Sequence, residues 1–364
     1  MKITAIETIQ VSIPYQHEGP LTGFGGTVWS KLSYLLIRVE TEDGLVGWGE
    51  AFGYNAIAAS IAAMETVVKP MALGKDATDF ATLMAGLKKS LHLFGRSGPV
   101  QYALSGLDIA LWDLAGKRAG KPVAGLLAQE PRSSVPAYKS FMRLQQPDIV
   151  SRACERAIRQ GYQSIKLHEI TVEAVAAARK TIGDEIGLTL DVNCEWSAEE
   201  AIRMANQLLP YKLKWLEEPV WPPEDMTGLA RLRNAVDIPL ALGENLANAW
   251  SFFPLLDEGV VDYFQPSVTK MGGISEFSLV AQAAARHERK LAPHSPYFGP
   301  GLLATLHLAA AFPNIGGIEI FGVDLDRPLF GAVGTVGSDG SIAIPLGPGL
   351  GCDPDPEVIE RYRV

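Results

Sequence analysis

The chain has 364 residues, of which 47% are hydrophobic and 20% charged, an ordinary balance for a globular protein that is too long for one small core. A net charge of −9 without any Lys/Arg-rich stretch argues against a nucleic-acid partner, and no apolar stretch approaches the roughly 20 residues of a membrane span. Three cysteines without CxxC spacing and a strand-like start without a basic, apolar leader predict free thiols and a cytoplasmic location.

Residues 1–130 are predicted to form an α+β domain. Three strand patterns come first, and the last two are joined at Asp43-Gly44, a strong hairpin signal. Helical patterns follow at 56–72, 77–91 and 99–119. This order predicts an antiparallel sheet packed against a group of helices.

Residues 131–322 change to a regular alternation of strand and helix, which predicts parallel strands. The eight strand patterns are VPAYKS, QSIKLH, LTLDVN, KWLEEP, PLALGE, VDYFQP, KLAPHS and GGIEIF. The seven helical patterns between them cover 147–160, 172–182, 198–208, 223–235, 248–258, 274–288 and 300–312. The pattern indicates a barrel in which the last strand has no helix after it.

Two further segments have irregular composition. The tail, 323–364, is rich in Gly, Pro and Asp and is predicted to return to the first domain. Residues 15–29 contain TGFGGT, which precedes no helical pattern and is therefore interpreted as a lid loop over the barrel mouth, not as a phosphate-binding loop. Its aromatic residues Tyr15, Phe24 and Trp29 are candidate substrate contacts.

Acidic residues recur in the barrel at steps of 26 and 27 residues, at Asp191, Glu217 and Glu244, each just after an apolar run. That period places them at the carboxyl ends of successive strands, facing one mouth. Other residues in the same rhythm are Lys166, His168, Ser267, His294 and Glu319. Three converging carboxylates require a cation, and an all-oxygen set suits Mg²⁺ or a similar hard ion.

The motifs GLVGWGE, ALSGLDIALWDLAGK, DVN, WLEEP, GEN, TKMGG and PHS together resemble the enolase superfamily, and within it the mandelate racemase and muconate-lactonizing enzymes. The resemblance implies a modified TIM barrel, (β/α)₇β, with an α+β capping domain built from both chain ends. It also implies one Mg²⁺ per site (Mn²⁺ being possible), abstraction of the proton α to a carboxylate through an enediolate, a small-molecule carboxylate substrate, and a homo-oligomer between dimer and octamer.

The resemblance assigns a role to each matching residue. Asp191, Glu217 and Glu244 match the metal ligands, and Asn193, Glu218 and Asn245 would support them. Lys166 would polarise the substrate carboxylate, His168 and His294 would exchange protons on opposite faces, and Glu319 matches a carboxyl donor on the eighth strand. Lys270 matches a lysine beside the metal.

Two positions depart from the family pattern. His168 stands where the family usually has a second lysine, and Ser267 stands where it has the Asp that orients its histidine, or a catalytic Lys. His294 is thus expected to lack a carboxylate that would raise its basicity. Structural alternatives remain open here: His168 as an ordinary strand-end residue, His294 as a capping residue, and Glu218 in place of Glu217 as the ligand.

This asymmetry favours an acid-sugar (aldonate or aldarate) dehydratase, in which one face takes the α-proton and His294 donates a proton to the leaving hydroxyl. The alternatives are a racemase, epimerase or sugar-lactone cycloisomerase acting through the same intermediate. A catalytically silent binding protein is a further alternative, and three retained ligands with Lys166 and two histidines argue against it.

Overall fold

The computed structural model describes residues 1–23 and 27–364, and within them it contains two sheets with helices around them. The strands are β1 (Ile3–Gln16), β2 (Lys31–Thr41), β3 (Val46–Ala51), β4 (Ser134–Ser140), β5 (Ser164–Leu167), β6 (Gly187–Asp191), β7 (Trp215–Glu217), β8 (Leu240–Leu242), β9 (Tyr263–Phe264), β10 (Lys290–Leu291), β11 (Ile318–Phe321), β12 (Asp324–Leu325) and β13 (Ser341–Ala343).

The helices lie between and after these strands. They are α1 (Ile57–Ala63), α2 (Lys69–Ala72), α3 (Phe80–Ser90), α4 (Pro99–Ala119), α5 (Val123–Leu127), α6 (Pro147–Arg159), α7 (Val172–Ile182), α8 (Ala198–Leu208), α9 (Met226–Ala235), α10 (Ala249–Glu258), α11 (Gly273–Arg286), α12 (Pro300–Ala311) and α13 (Pro356–Tyr362). A π-helical turn at Met64–Val68 joins α1 to α2. In the part of the chain described, no helix is both long and apolar enough to cross a membrane.

The capping domain is an antiparallel sheet, in the order β12-β1-β2-β3, packed on α4. The GWG segment explains how closely β3 approaches this helix. A Cβ atom on Gly49 would lie 1.9 Å from the carbonyl oxygen of Gly106 in α4, and one on Gly47 would lie 2.3 Å from that of Ala110. Only glycine allows this backbone contact, which buries α4 between the sheet and the barrel.

The barrel sheet runs β10-β9-β8-β7-β6-β5-β4-β11 with every pair parallel, and a bridge between Leu291 and Ile315 links its ends. The surrounding helices are amphipathic, as α6 shows by burying Val150, Ala153, Cys154 and Ala157 at helical spacing. The predicted fold class, a (β/α)₇β barrel with an α+β cap, is confirmed.

The tail after β11 contacts both domains. β12 pairs with β1, and α13 packs on the same strand, as the prediction of a return to the first domain implies. However, β13 pairs antiparallel with β4, on the barrel. The prediction did not include this contact, because three residues between turns carry too weak a pattern to identify a strand. The domain boundaries at 130 and 322 stay a prediction.

Candidate active site

The barrel mouth and the capping domain enclose a cavity of about 480 Å³. Parallel strands carry their carboxyl ends to one rim, so residues at or just beyond β5, β6, β7, β8 and β11 meet at its floor. The barrel residues that line it include His168, Asn193, Glu244, Lys270, His294 and Glu319. The sequence rhythm predicted this convergence.

Asp191, Glu217 and Glu244 form the centre of the floor. One carboxylate oxygen from each lies within 4.8 Å of the others. The Trp215 Nε1–H donates to Glu217 at 2.9 Å, and the backbone N–H of Asn193 donates to Asp191 at 2.8 Å, so two of the three carboxylates are held in place. The structure therefore brings together the three residues expected to bind metal.

Lys166 lies beneath these carboxylates and is fully buried. Its Nζ is 2.7 Å from Glu217, 2.9 Å from Glu319 and 3.3 Å from Asp191. Burial alone would lower the pKa of Lys166, but the three carboxylates more than offset it and hold that pKa well above the ordinary value. Lys166 is therefore a permanent cation at the base of the site.

One lysine does not balance the three carboxylates around it. Burial, together with the charges of Asp191 and Glu319, raises the pKa of Glu217 well above its usual range despite the contact with Lys166. Burial raises the pKa of Asp191 too, but there Lys166 and His168 prevail and hold it below its usual range. Acidic groups crowded together in this way are typical of a site that binds a cation.

The two histidines lie at opposite ends of the carboxylate group. His168 Nε2 is 3.1 Å from Asp191, while its Nδ1 is hydrogen-bonded to the backbone carbonyl of Phe141. His294 Nε2 is 3.0 Å from Glu244. Burial lowers the pKa of His294, although the charges of Glu244 and Glu319 act against this. Both imidazoles border the cavity.

Ser267 fills the position behind His294. Its Oγ is 3.1 Å from His294 Nδ1, as expected for a hydrogen-bonding residue. A residue that the sequence reasoning missed, Tyr297, completes the group: its hydroxyl is hydrogen-bonded to Ser267 and lies 3.4 Å from the same Nδ1. The only sequence signal for Tyr297 was its position three residues after His294, across a Ser-Pro turn.

The remaining barrel candidates have different surroundings. Glu218 is buried and accepts from the Gly243 N–H at 3.0 Å; burial and the charge of Glu244 raise its pKa to about 8. Lys270 borders the cavity with its Nζ 4.9 Å from the centre of the Phe52 ring. Asn193 and Asn245 line the wall; the hydrogen bond to Asp191 comes from the backbone of Asn193, not from its side chain. Glu319 accepts from the Ser295 N–H at 3.0 Å.

The capping domain supplies the outer wall through Trp29, Phe52, Tyr54 and Asn55. Only Trp29 of these was predicted. Tyr15 was expected to contact substrate, and this is corrected: it lies at the end of β1, is 6% exposed, and donates its hydroxyl to the Trp29 carbonyl at 2.9 Å, so that it anchors the wall from behind. Phe24 lies outside the described residues. Cys194 and Trp221 also line the cavity and were missed.

Comparison with known proteins agrees with this geometry. Residues 5–128 match the family model "Mandelate racemase / muconate lactonizing enzyme, N-terminal domain", and residues 148–358 match "Enolase C-terminal domain-like". The chain is 31% identical to D-galactarolactone cycloisomerase of Agrobacterium fabrum, over 100% of this chain and 99% of that protein. It is 34% identical to L-talarate/galactarate dehydratase of Salmonella typhimurium, over 83% of this chain and 75% of that protein.

A solved structure is similar over the full length as well. The racemase from Streptomyces coelicolor A3(2) with bound magnesium has a TM-score of 0.87 at 28% identity, and the match covers 100% of both chains. The two family models together span most of the chain, with residues 129–147 between them. The chain therefore belongs to the mandelate racemase/muconate-lactonizing enzyme family of the enolase superfamily.

Proposed function

We propose that the protein is an Mg²⁺-dependent acid-sugar dehydratase, which removes the α-proton of a hydroxy-carboxylate and expels its β-hydroxyl. The proposal rests on the positions of His168 and His294 at opposite ends of the carboxylate triad. The Nδ1 atom of His168 is hydrogen-bonded to a backbone carbonyl, whereas that of His294 is hydrogen-bonded to the Ser267 hydroxyl. Unlike surroundings suit two different proton-transfer roles better than two equal ones. The similarity to L-talarate/galactarate dehydratase supports the same reaction class.

Asp191, Glu217 and Glu244 would hold the metal. Their carboxylate oxygens lie within 4.8 Å of one another, and an all-oxygen set of this kind is the one that Mg²⁺ prefers. A bound Mg²⁺ would supply positive charge for the substrate carboxylate as negative charge develops on it. Mn²⁺ has the same preference for oxygen ligands and could substitute.

Side chains of the protein would stabilise the developing charge, transfer the protons and bind the substrate. Lys166, a buried cation, would stabilise the same developing charge. His168 would accept the α-proton at Nε2, and His294 would donate a proton to the leaving hydroxyl, which departs as water. Asn55, Asn193 and Lys270 on the cavity wall offer hydrogen bonds to a polyhydroxylated chain. We also propose a cytoplasmic homo-oligomer.

The second candidate is an isomerase, and specifically a cycloisomerase that acts on a sugar lactone. It is favoured by the full-length similarity to D-galactarolactone cycloisomerase, which covers all of this chain. Both reactions begin with removal of an α-proton and use the same triad and lysine. They differ in the product, since dehydration gives a keto-acid lighter by one water and isomerisation conserves mass.

The test is a screen of mono- and diacid sugars and their lactones with Mg²⁺ in D₂O. Mass spectrometry scores loss of water, and NMR scores exchange of the α-proton. On a substrate so found, His294→Asn should still exchange the α-proton but form little dehydrated product, whereas His168→Asn should do neither. His287→Asn, at a partly exposed histidine paired with Asp257, is the control. Exchange by each single variant on one of two epimers would instead indicate an epimerase, and a product of unchanged mass would indicate an isomerase.

A further inference from the structure

A second cavity lies on the outer side of the barrel, between strands β4 and β11 and the C-terminal tail. Its volume is about 390 Å³, compared with about 480 Å³ for the active-site cavity, and small-molecule sites typically have about 300–1,000 Å³. None of the proposed catalytic or metal-binding residues lines it. Its wall is mostly apolar and includes Phe298, Phe321, Val323, Leu325, Val333 and Val336.

The tail that closes this cavity is fixed on the barrel. Strand β13 pairs antiparallel with β4. A Cβ atom on Gly161 would lie 2.6 Å from the Gly337 carbonyl oxygen, so the backbones of tail and barrel touch next to the lining residues Gln160 and Val336. The Gly337 N–H donates to the Ser341 carbonyl at 2.8 Å, which closes the turn that leads into β13. The cavity is therefore formed before any ligand binds, as small-molecule sites usually are.

Lys139 supplies a positive charge to this cavity. Alternation along β4 directs Tyr138 into the barrel and Lys139 to the outer side, where it is partly buried and lines the cavity. Its Nζ is 5.3 Å from the centre of the Tyr162 ring, and no carboxylate among the described residues forms an ion pair with it. Because lysine is rarely buried without a partner, this ammonium group lacks a counter-ion.

The acidic groups nearest to Lys139 are paired with a different cation. Arg156 is 2.5 Å from Asp324 and 2.9 Å from Glu18. Burial lowers the pKa of Lys139, the charge of Arg156 adds to this effect, and the charges of Asp324 and Glu18 oppose it. A carboxylate bound at hydrogen-bond distance from Nζ would offset part of the cost of burying this charge.

The composition of the wall limits the chemistry of the ligand. One lysine matches one negative charge. Gln160, Tyr162 and Thr335 also line the cavity, but the walls are otherwise apolar, so many of the hydroxyls of a sugar acid would be buried without partners. A ligand with a single carboxylate and an apolar body satisfies both the charge and the walls.

We propose that the second cavity is a binding site for a small monocarboxylate with an apolar body. The carboxylate pairs with Lys139, and the body packs against Phe298 and Phe321. The site is separate from the active site, and the inference does not rest on the proposed function. Phe321 lines both cavities, so the ligand would contact a residue of the active-site wall from the outside.

The test is calorimetric titration of the metal-free protein, in EDTA and at constant ionic strength, with 3-phenylpropionate and with its amide. Wild type should bind the amide about tenfold more weakly than the acid, because a hydrogen bond between charged groups is lost. Lys139→Met should weaken binding of the acid about tenfold and remove the preference for acid over amide. Carboxylate binding in the active site would not respond to this change. Lys180→Met, at an exposed lysine of α7, is the control and should bind like wild type.

A second variant keeps the charge and fills the cavity. Val336→Trp should also weaken binding of 3-phenylpropionate, with the circular dichroism spectrum unchanged, and it decides the matter with the amide comparison if Lys139→Met does not fold. Gluconate, a polyhydroxylated acid, should show no affinity that depends on Lys139.

The proposal is overturned if 3-phenylpropionate does not bind, if it binds wild type and Lys139→Met equally, or if acid and amide bind wild type equally. Equal binding of the acid to wild type and Val336→Trp, or an affinity for gluconate that depends on Lys139, would also overturn it. These measurements require no turnover. A protein that binds the acid at this site but dehydrates no acid sugar would refute the proposed function and leave the second site intact.

Discussion

Glu50, in β3 of the capping domain, should make the stability of the protein depend on pH in a defined window. It is 4% exposed and accepts from the Gly301 N–H, at the first turn of α12, at 2.8 Å. Burial raises its pKa from 4.5 to about 7, although the Gly301 hydrogen bond opposes the change. No lysine or arginine in the described chain forms an ion pair with it. The carboxyl group is therefore most stable uncharged.

The difference between 4.5 and about 7, at about 1.4 kcal/mol for each pH unit, corresponds to about 3 kcal/mol. The folded state holds this proton more tightly than the unfolded chain does. The stabilisation is therefore complete below about pH 4.5 and is lost as the pH rises through 7. Glu50→Gln keeps the shape and the acceptor for Gly301 but cannot ionise, so its stability should not fall in this window.

The measurement is urea unfolding of both proteins between pH 4.5 and 8.5, followed by fluorescence and circular dichroism so that any intermediate is seen. The free energy of unfolding of the wild type, relative to Glu50→Gln, should fall by about 3 kcal/mol across the range. Glu360→Gln, at an exposed carboxyl on α13, should track the wild type at every pH. A constant difference between wild type and Glu50→Gln would refute the argument from burial.

Three further outcomes are expected. Glu217→Gln or Glu244→Gln should abolish the Mg²⁺ binding measured by calorimetry and leave the circular dichroism spectrum unchanged. EDTA should stop the wild-type reaction until Mg²⁺ is restored. Full activity of the metal-free enzyme would exclude a metal-dependent mechanism. Lys166→Ala should reduce kcat by about 10²–10³-fold; a change confined to KM would show uniform substrate binding. Burial lowers the pKa of His307 from 6.5 to about 4. The free energy of unfolding of the wild type, measured with urea, should therefore fall by about 3 kcal/mol relative to that of His307→Leu as the pH falls from 6.5 to 4. The same pH dependence in both proteins would contradict this.

The sequence predicted the barrel and the central site because both follow from the regular spacing of strands and helices along the chain. Strand-plus-helix units of about 25 residues set the steps from Asp191 to Glu217 and Glu244, and alternation within a strand set which residue faces inward. Helices such as α7 and α8 were predicted with their observed bounds because apolar spacing and caps agree: Ser197 and Glu200 form a capping box at the start of α8.

The sequence could not predict contacts that depend on how separate elements meet. Glu50 reaches Gly301 across 251 residues, and nothing local to either residue indicates it. Tyr297 and Ser267 come together because two adjacent strand-end loops fold over the rim. The conformation of such loops leaves no regular spacing in the sequence from which their contacts could be predicted. Tyr15 was misassigned for the same reason, since the lid composition gave no information on which aromatic side chain faces the cavity.

The closure of the capping sheet also has a consequence for the order of folding. The outer edge of β1 is covered by β12, by a bridge from Val11 to Arg363 and by a hydrogen bond from the Val364 N–H to the Gln10 carbonyl. On the ribosome these late residues emerge after the whole barrel. Until then the first strand synthesised has an unpaired edge, the surface through which incomplete chains aggregate. We expect nascent chains that end before residue 324 to depend on chaperones although all the parallel strands of the barrel, β4 to β11, are present.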